Sequence, residues 1–243
     1  MLDRAALLRA TAANHLAFFR RYARLNGGQA ERLAGLHLVV DRDDAKLAFP
    51  EPPAREGWRL DQVVARARSL GAARMSCWSL DEDPALGAEL VARGFEWGWQ
   101  PHWMARSLAR VPRLTTEHEV VRFERGPALP QRGLPYADEH ADPRQVHHLA
   151  VRDAGVTVGH VVVNTWRGFA GIYSMGVADT HQRRGIGRAL TLVACRRGRE
   201  LGCSYALLNA TAEGELLYRT LGFRSLGKGQ TWWRHPPGCE SGP

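Results

Sequence analysis

The chain has 243 residues, of which 44% are hydrophobic and 24% charged. That balance excludes wholesale disorder, a collagen-like rod and a disulfide-built miniprotein, and the length allows one large domain or two modest ones. The net charge of +8 comes from 31 Arg and only 2 Lys against 25 acidic residues. These arginines are spread along the chain without an aromatic-interleaved basic stripe, so the expected ligand is a small anion and the expected partners include no nucleic acid.

From the N-terminus, residues 1–25 mix Arg4, Arg9, Arg20, Arg21 and Arg24 with apolar side chains and read as an amphipathic surface helix. They lack the small-residue cleavage site of a targeting peptide. No run approaches the ~20 apolar residues that span a bilayer, so no membrane partner is expected and the location is taken as cytoplasmic. Cys77, Cys195, Cys203 and Cys239 show no C-x-x-C spacing, which predicts neither a metal site nor a disulfide frame.

An internal repeat then organises the chain. Val63 to Gly71 (VVARARSLG) and Val193 to Gly202 (VACRRGRELG) are each the end of an amphipathic helix closed by Leu-Gly, where a glycine takes the left-handed cap. Each leads into an apolar, strand-like run, Ala73 to Leu80 and Ser204 to Thr211. A short helix ending in Gly-Phe follows in both, at Gly94-Phe95 and Gly222-Phe223, and then a closing aromatic strand with Trp97, Trp99 and Trp103 or Trp232 and Trp233. The offset is 131 residues at the Leu-Gly step and 128 at the Gly-Phe step. This predicts two similar α/β lobes: residues 1–110, residues 115–235, and a flexible tail at 236–243. Most of the tryptophans read as core; Trp166, Trp232 and Trp233 are the ones suited to line an acceptor pocket.

In the second lobe, Glu119 to Glu124 reads as a first strand and the proline-rich stretch Gly126 to Pro143 as loop. Val146 to Arg152 and Val156 to Asn164 make a hairpin through Asp153-Ala-Gly155, and Phe169 to Val177 a third strand. That strand feeds Gln182-Arg183-Arg184-Gly185-Ile186-Gly187-Arg188, after which fifteen residues look helical. Glycines let a backbone approach closely, and first-turn amides with the helix dipole favour an anion, so this junction suits a phosphate. Leu190 stands where a dinucleotide fingerprint needs its third glycine, and no P-loop pattern is present.

Gln182-x-x-Gly185-x-Gly187 after a strand ending in Val177, followed by Leu217-Tyr218-x-x-x-Gly222-Phe223, resembles the acyl-CoA loop and next segment of the GNAT superfamily of N-acyltransferases. The resemblance covers residues 115–235; the first lobe looks like a degenerate copy without the Gly-x-Gly loop. It implies an α/β (α+β) fold of two GNAT-like lobes, each a mixed, mostly antiparallel sheet flanked by helices. It also implies acetyl-CoA as cosubstrate without a metal, and acetyl transfer to a primary amine of a small molecule by direct attack. The alternatives are a protein lysine or N-terminal amine as acceptor, or a non-catalytic acyl-CoA sensor; a homodimer is compatible with the family.

By the same resemblance, Met175, Gly176 and Val177 would pair with the pantetheine arm. Gln182, Arg183, Arg184, Gly185, Ile186, Gly187, Arg188 and Ala189 would hold the pyrophosphate, and Asn209 would touch the acyl-CoA arm. Tyr218 would be the catalytic residue, giving a proton to the departing thiolate. Leu90 stands at the position equivalent to Tyr218 in the first lobe. The general base is left open among Glu213, Glu215, the acids of 138–142, His147, His148 and a water relay; Tyr173 and Ser174 stand where relatives carry a carboxylate. His147 and His148, adjacent on a strand, are expected to be one packed and one solvated. Removing residues 1–108 is expected to give insoluble or inactive protein, because the short span before Val146 leaves the acceptor wall incomplete.

Overall fold

The computed structural model describes residues 2–113, 118–123 and 145–236. In chain order the elements are α1 (Arg4–Leu25), β1 (Gln29–Leu33), β2 (Leu36–Asp41), β3 (Asp44–Ala48), α2 (Gly57–Ser69), β4 (Arg74–Trp78), α3 (Pro84–Val91), β5 (Glu96–Trp97) and β6 (His102–Ser107). The second half supplies β7 (Val120–Phe123), β8 (Val146–Asp153), β9 (Val156–Trp166), β10 (Phe169–Val177), α4 (Ile186–Glu200), β11 (Tyr205–Ala210), α5 (Ala212–Thr220), β12 (Arg224–Lys228) and β13 (Thr231–Arg234). The expected hairpin, third strand and fifteen-residue helix are β8, β9, β10 and α4. The 126–143 loop and nearly all of the 236–243 tail lie outside the described residues.

The strands form two mixed sheets. The first runs β1-β2-β3-β4-β13-β5 and the second β7-β8-β9-β10-β11-β6-β12. The pairs β3/β4 and β10/β11 are parallel, joined through α2 and α4, while the other recorded pairs are antiparallel. Matching β1–β4 to β8–β11 and β5 to β12 shows one topology twice, with the closing strands exchanged. β6, from the first repeat, sits in the second sheet, and β13, from the second repeat, sits in the first.

The chain therefore does not divide at a single point near residue 110. One compact unit, the first lobe, takes residues 15–101 and resumes at residue 227; the other, the second lobe, takes residues up to Asn14 and then 102–226. Backbone pairing explains the difference. β6 hydrogen-bonds along its whole length to β11, from His102↔Ala210 to Ser107↔Tyr205, and β13 pairs with β4 from Thr231↔Trp78 to Arg234↔Met75. A central strand is satisfied on both edges only in the sheet that receives it.

The repeat's punctuation takes the expected geometry. Gly71, Gly94, Gly202 and Gly222 all have φ between 74° and 88°. After each, the next amide reaches back five residues, Ala72 to Ala67, Phe95 to Leu90, Cys203 to Gly198 and Phe223 to Tyr218, closing four Schellman caps. Each lobe has its own core. In the first, Leu36, Leu38, Leu47, Leu60, Leu86, Leu90 and Phe95 gather with Trp232; in the second, Val161, Val163, Ile172, Ile186, Leu190, Leu208 and Phe223 gather with Tyr218.

The N-terminal helix departs from its expectation as a surface helix. Residues 14–19 of α1 are all buried, six in a row, which covers every side of the helix rather than one stripe. Asn14 belongs to the second lobe's interior: its amide donates to the Asn164 and Phe169 carbonyls, and its side-chain oxygen accepts from the Tyr173 hydroxyl at 2.8 Å and the Asn164 amide at 3.1 Å.

Candidate functional site

The site begins with a strand that leaves its neighbour. β10 is parallel to β11 only from Phe169↔Tyr205 to Ile172↔Leu208, although β10 runs on to Val177 and β11 to Ala210. On its other edge β10 pairs with β9 through Tyr173↔Val162, breaks register, and resumes at Gly176↔His160. Ser174 within this bulge has φ 50°, a left-handed conformation that side chains other than glycine rarely adopt. The bulge bends β10, so residues 174–177 run beyond the last pair with β11. That stretch holds Met175, Gly176 and Val177.

Beyond Val177 the chain makes a 3-10 turn, Asp179–His181, and the loop leads to Gly185 at the N-cap of α4. The turn is internally braced: the Gln182 amide donates to Asp179 at 2.8 Å, and His181 lies 3.0 Å from the Asp153 carboxylate. Gln182's side chain thus shapes the loop. Arg183 (φ 61°) and Gly185 (φ 82°) are both left-handed, and the Arg184 carbonyl is held by His118 at 2.7 Å. Gly185 has no side chain to cap the helix, so the first-turn amides of Ile186, Gly187 and Arg188 lack a partner within α4.

Two close approaches fix where this helix end lies. A Cβ on Gly159 of β9 would meet Ile186 Cγ2 at 2.7 Å, so only glycine lets the first turn of α4 rest on the sheet. A Cβ on Gly187 would come 3.3 Å from Leu217 of α5 and 4.0 Å from Val177. Arg183, Arg184 and Arg188 are exposed at this end, whereas Ile186 and Ala189 face the core. Left-handed turns, free amides and three guanidinium groups together make an anion cradle.

Tyr218 stands on α5, 8% exposed, its ring against Phe223 and its hydroxyl 3.5 Å from the sulfur of Met175. Burial pushes its pKa up to about 12, with the Cys195 thiol adding to the shift, so the phenol keeps its proton at neutral pH. The Met175 sulfur also receives the Thr191 hydroxyl at 3.8 Å, which ties β10, α4 and α5 together below the loop. Asn209, half-buried and one residue beyond the last β10/β11 pair, lies opposite Trp103 of β6. The structure thus gathers Met175, Tyr218 and Gly187 of the expected site at the end of the β10/β11 pair.

The candidate bases fare differently. Tyr173 is buried with its hydroxyl committed to Asn14. Glu215 is engaged on both oxygens, with Arg219 at 2.6 Å and His102 at 2.6 Å, and these contacts, His102 first, hold its carboxyl below the ordinary range. Glu213 is exposed in the first turn of α5. His147 and His148 are both buried, at 1% and 6% exposure, correcting the expectation of one solvated ring: both faces of β8 are covered. Desolvation lowers the His148 pKa to about 4, leaving a weak base. The acids of 138–142 lie outside the described residues. Trp232 is in the first lobe's core, which removes it from the expected acceptor lining. Asn14 and His102 carried no signal in the sequence, because each meets its partners more than a hundred residues away. Among the described residues no cluster of three or more His, Cys, Asp or Glu could hold a metal, and no helix is long and apolar enough to cross a membrane.

The sequence profile described as the Acetyltransferase (GNAT) family matches residues 111–223. No curated protein matches the chain. Among solved structures, a GCN5-related N-acetyltransferase from Kribbella flavida is similar over 93% of this chain and 96% of its own, with a TM-score of 0.65 and 18% identity. A tandem GNAT protein from the clavulanic acid biosynthesis pathway covers 86% of this chain and 79% of its own (TM-score 0.56, 17% identity). A GCN5-related N-acetyltransferase from Sphaerobacter thermophilus covers 85% and 78% (TM-score 0.58, 17% identity). At these identities the likeness is one of fold, and it extends across both lobes. The parted strands, the glycine-bearing loop at the start of α4 and the matched profile together establish that residues 111–223 are a domain of the acetyltransferase (GNAT) family.

Proposed function

We propose that the second lobe transfers an acetyl group from acetyl-CoA to the primary amine of a small molecule by direct attack. The observation that carries this is the edge of β10 at residues 174–177, which lies beyond the last pair with β11 and runs into the amide- and arginine-lined start of α4. An extended amide-bearing arm fits the first and a pyrophosphate the second, so the residues present suit CoA. When bound, acetyl-CoA supplies an activated acyl carbon. Met175 and Val177 offer main-chain groups to the arm, while the amides of residues 183–188 and the guanidinium groups of Arg183, Arg184 and Arg188 neutralise the phosphates. Asn209, at the end of β11, reaches toward the arm.

Tyr218 holds a proton at its phenol oxygen, and its raised pKa keeps that proton available for a departing thiolate. The incoming amine, with a reference pKa near ~10.4, must lose a proton first. Glu215 and Tyr173 are already engaged, so a water relay reaching Glu213 is the route these residues leave open. A small acceptor is the class to test first because the tandem protein of similar fold belongs to clavulanic acid biosynthesis.

The test is thiol release from acetyl-CoA across a panel of amino sugars, amino acids, polyamines and basic peptides. It is read beside the thermal protection that acetyl-CoA gives the protein. Release with a small amine is expected. Protection without release on any amine would replace the enzyme by an acyl-CoA sensor, and release on peptides alone would move the acceptor to proteins. Gly187→Trp should abolish protection, since a Cβ there already comes within 3.3 Å of Leu217 and the ring would stand among the loop amides; retained protection would mean that the loop is misassigned.

A further inference from the structure

One turn before Tyr218 on α5, Glu215 belongs to a group of side chains that the acetyl-CoA chemistry does not use. His102, the first residue of β6, is 6% exposed, and its Nε2 lies 2.6 Å from the hydroxyl oxygen of Ser225 on β12. Its Nδ1 lies 2.6 Å from Glu215 Oε2, a close ion-pair distance away from the ring's N–H axis. The other Glu215 oxygen accepts from Arg219 at 2.6 Å, which fixes the carboxylate. Ser225 itself is exposed.

A carboxylate beside Nδ1 favours the tautomer with its proton there and leaves Nε2 free to accept from the serine. Ser225 and His102 thus form a nucleophile–base pair, with a carboxylate close to the ring's other nitrogen although no hydrogen bond joins them.

The geometry points to Ser225, His102 and Glu215 as a second acyl-transfer centre, in which Ser225 is the nucleophile toward small activated esters and water the final acceptor. The Ser225 oxygen bonds to the ester carbonyl carbon while the bond from that carbon to the leaving oxygen breaks. His102 takes the serine proton at Nε2 and returns it to the leaving alkoxide. Water then attacks the acyl-serine, the carboxylic acid departs and Ser225 recovers its proton through His102. Glu215, 2.6 Å from Nδ1, balances the transient charge on the imidazole.

The same contacts also pin α5 to β6 and β12, so stability alone does not test the assignment. A fluorophosphonate probe and p-nitrophenyl acetate, applied to the full chain, do. The probe should attach at Ser225 by peptide mass spectrometry, and Ser225→Ala should abolish attachment. His102→Gln should slow both attachment and ester turnover by about 10²-fold or more. If His102→Gln unfolds, Glu215→Gln, at a side chain less buried than His102, carries the comparison and should slow both at least severalfold. Attachment elsewhere, none in the wild-type chain, or equal rates in a folded relay variant would overturn the proposal.

Discussion

In the first lobe β3 and β4 stay paired to the last residue of each strand, Ala48↔Trp78, and the Phe49 amide adds a further bond to the Trp78 carbonyl at 2.8 Å. In the second lobe the equivalent strands, β10 and β11, part after Ile172↔Leu208. The helix starts differ in the same sense. α4 opens on Gly185 with free amides and arginines; α2 follows Pro52 and Pro53, which have no N–H, and its N-cap is Glu56, already an anion. Of the arginines there, Arg55 is spent on Asp81 and Asp83, and Arg59 pairs with Glu56. Where the second lobe has Tyr218, the first has Leu90, fully buried. One connectivity therefore holds either strands paired to their ends or strands that part. A bulge and a few side chains make the difference.

That comparison can be broken most severely by cutting the chain. Residues 109–243 alone lack β6, whose residues 102–106 are buried between β11 and β12 of the second sheet, and lack Asn14. The fragment should be insoluble or show no cooperative unfolding; a soluble, fully active fragment would show that the strand exchange is dispensable. Next, Tyr218→Phe should lower kcat by ~10²–10⁴ with little change in acetyl-CoA affinity, and unchanged turnover would reduce Tyr218 to packing like its counterpart Leu90. Leu90→Ala should destabilise the first lobe by about 2–5 kcal/mol in denaturant unfolding. Its kcat should be unchanged at temperatures where the protein is folded.

The smallest effects come from a matched pair of helix caps. Thr211 accepts from the Gly214 amide at 3.1 Å, and Asp83, at the 128-residue offset, accepts from Ala85 and Leu86 at 2.9 and 3.2 Å. Thr211→Ala should lower stability by about 1 kcal/mol. Asp83→Ala should lower it more, because Arg55, 17% exposed, loses one of its two carboxylates. Equal losses would mean that the Arg55 pair adds nothing beyond the cap.

The repeat, its four glycine caps and the loop at the start of α4 were legible in the sequence because each is local. A cap is decided by a glycine and its neighbours, and a phosphate-binding turn by residues within one stretch of chain. The same holds for the contrast between Tyr218 and Leu90, which a single offset reveals. The burial of His147 together with His148 was not legible, since alternation along a strand says which face a side chain takes and not whether that face is covered.

What only the tertiary structure decided are the matters of edges and distant partners. Their aromatic, apolar runs mark β6 and β13 as strands, but each sheet offers a strand edge, at β11 or at β4, and nothing in six residues says which one receives them. Asn14 withdrawing Tyr173 from the site, and His102 meeting Glu215 and Ser225, likewise depend on segments brought together from opposite ends of the chain. The sequence by itself determined two copies of one fold and which copy holds the loop. The exchange of closing strands, the parting of β10 from β11 and the relay at Ser225 arise from long-range backbone pairing, which local residue pattern does not encode.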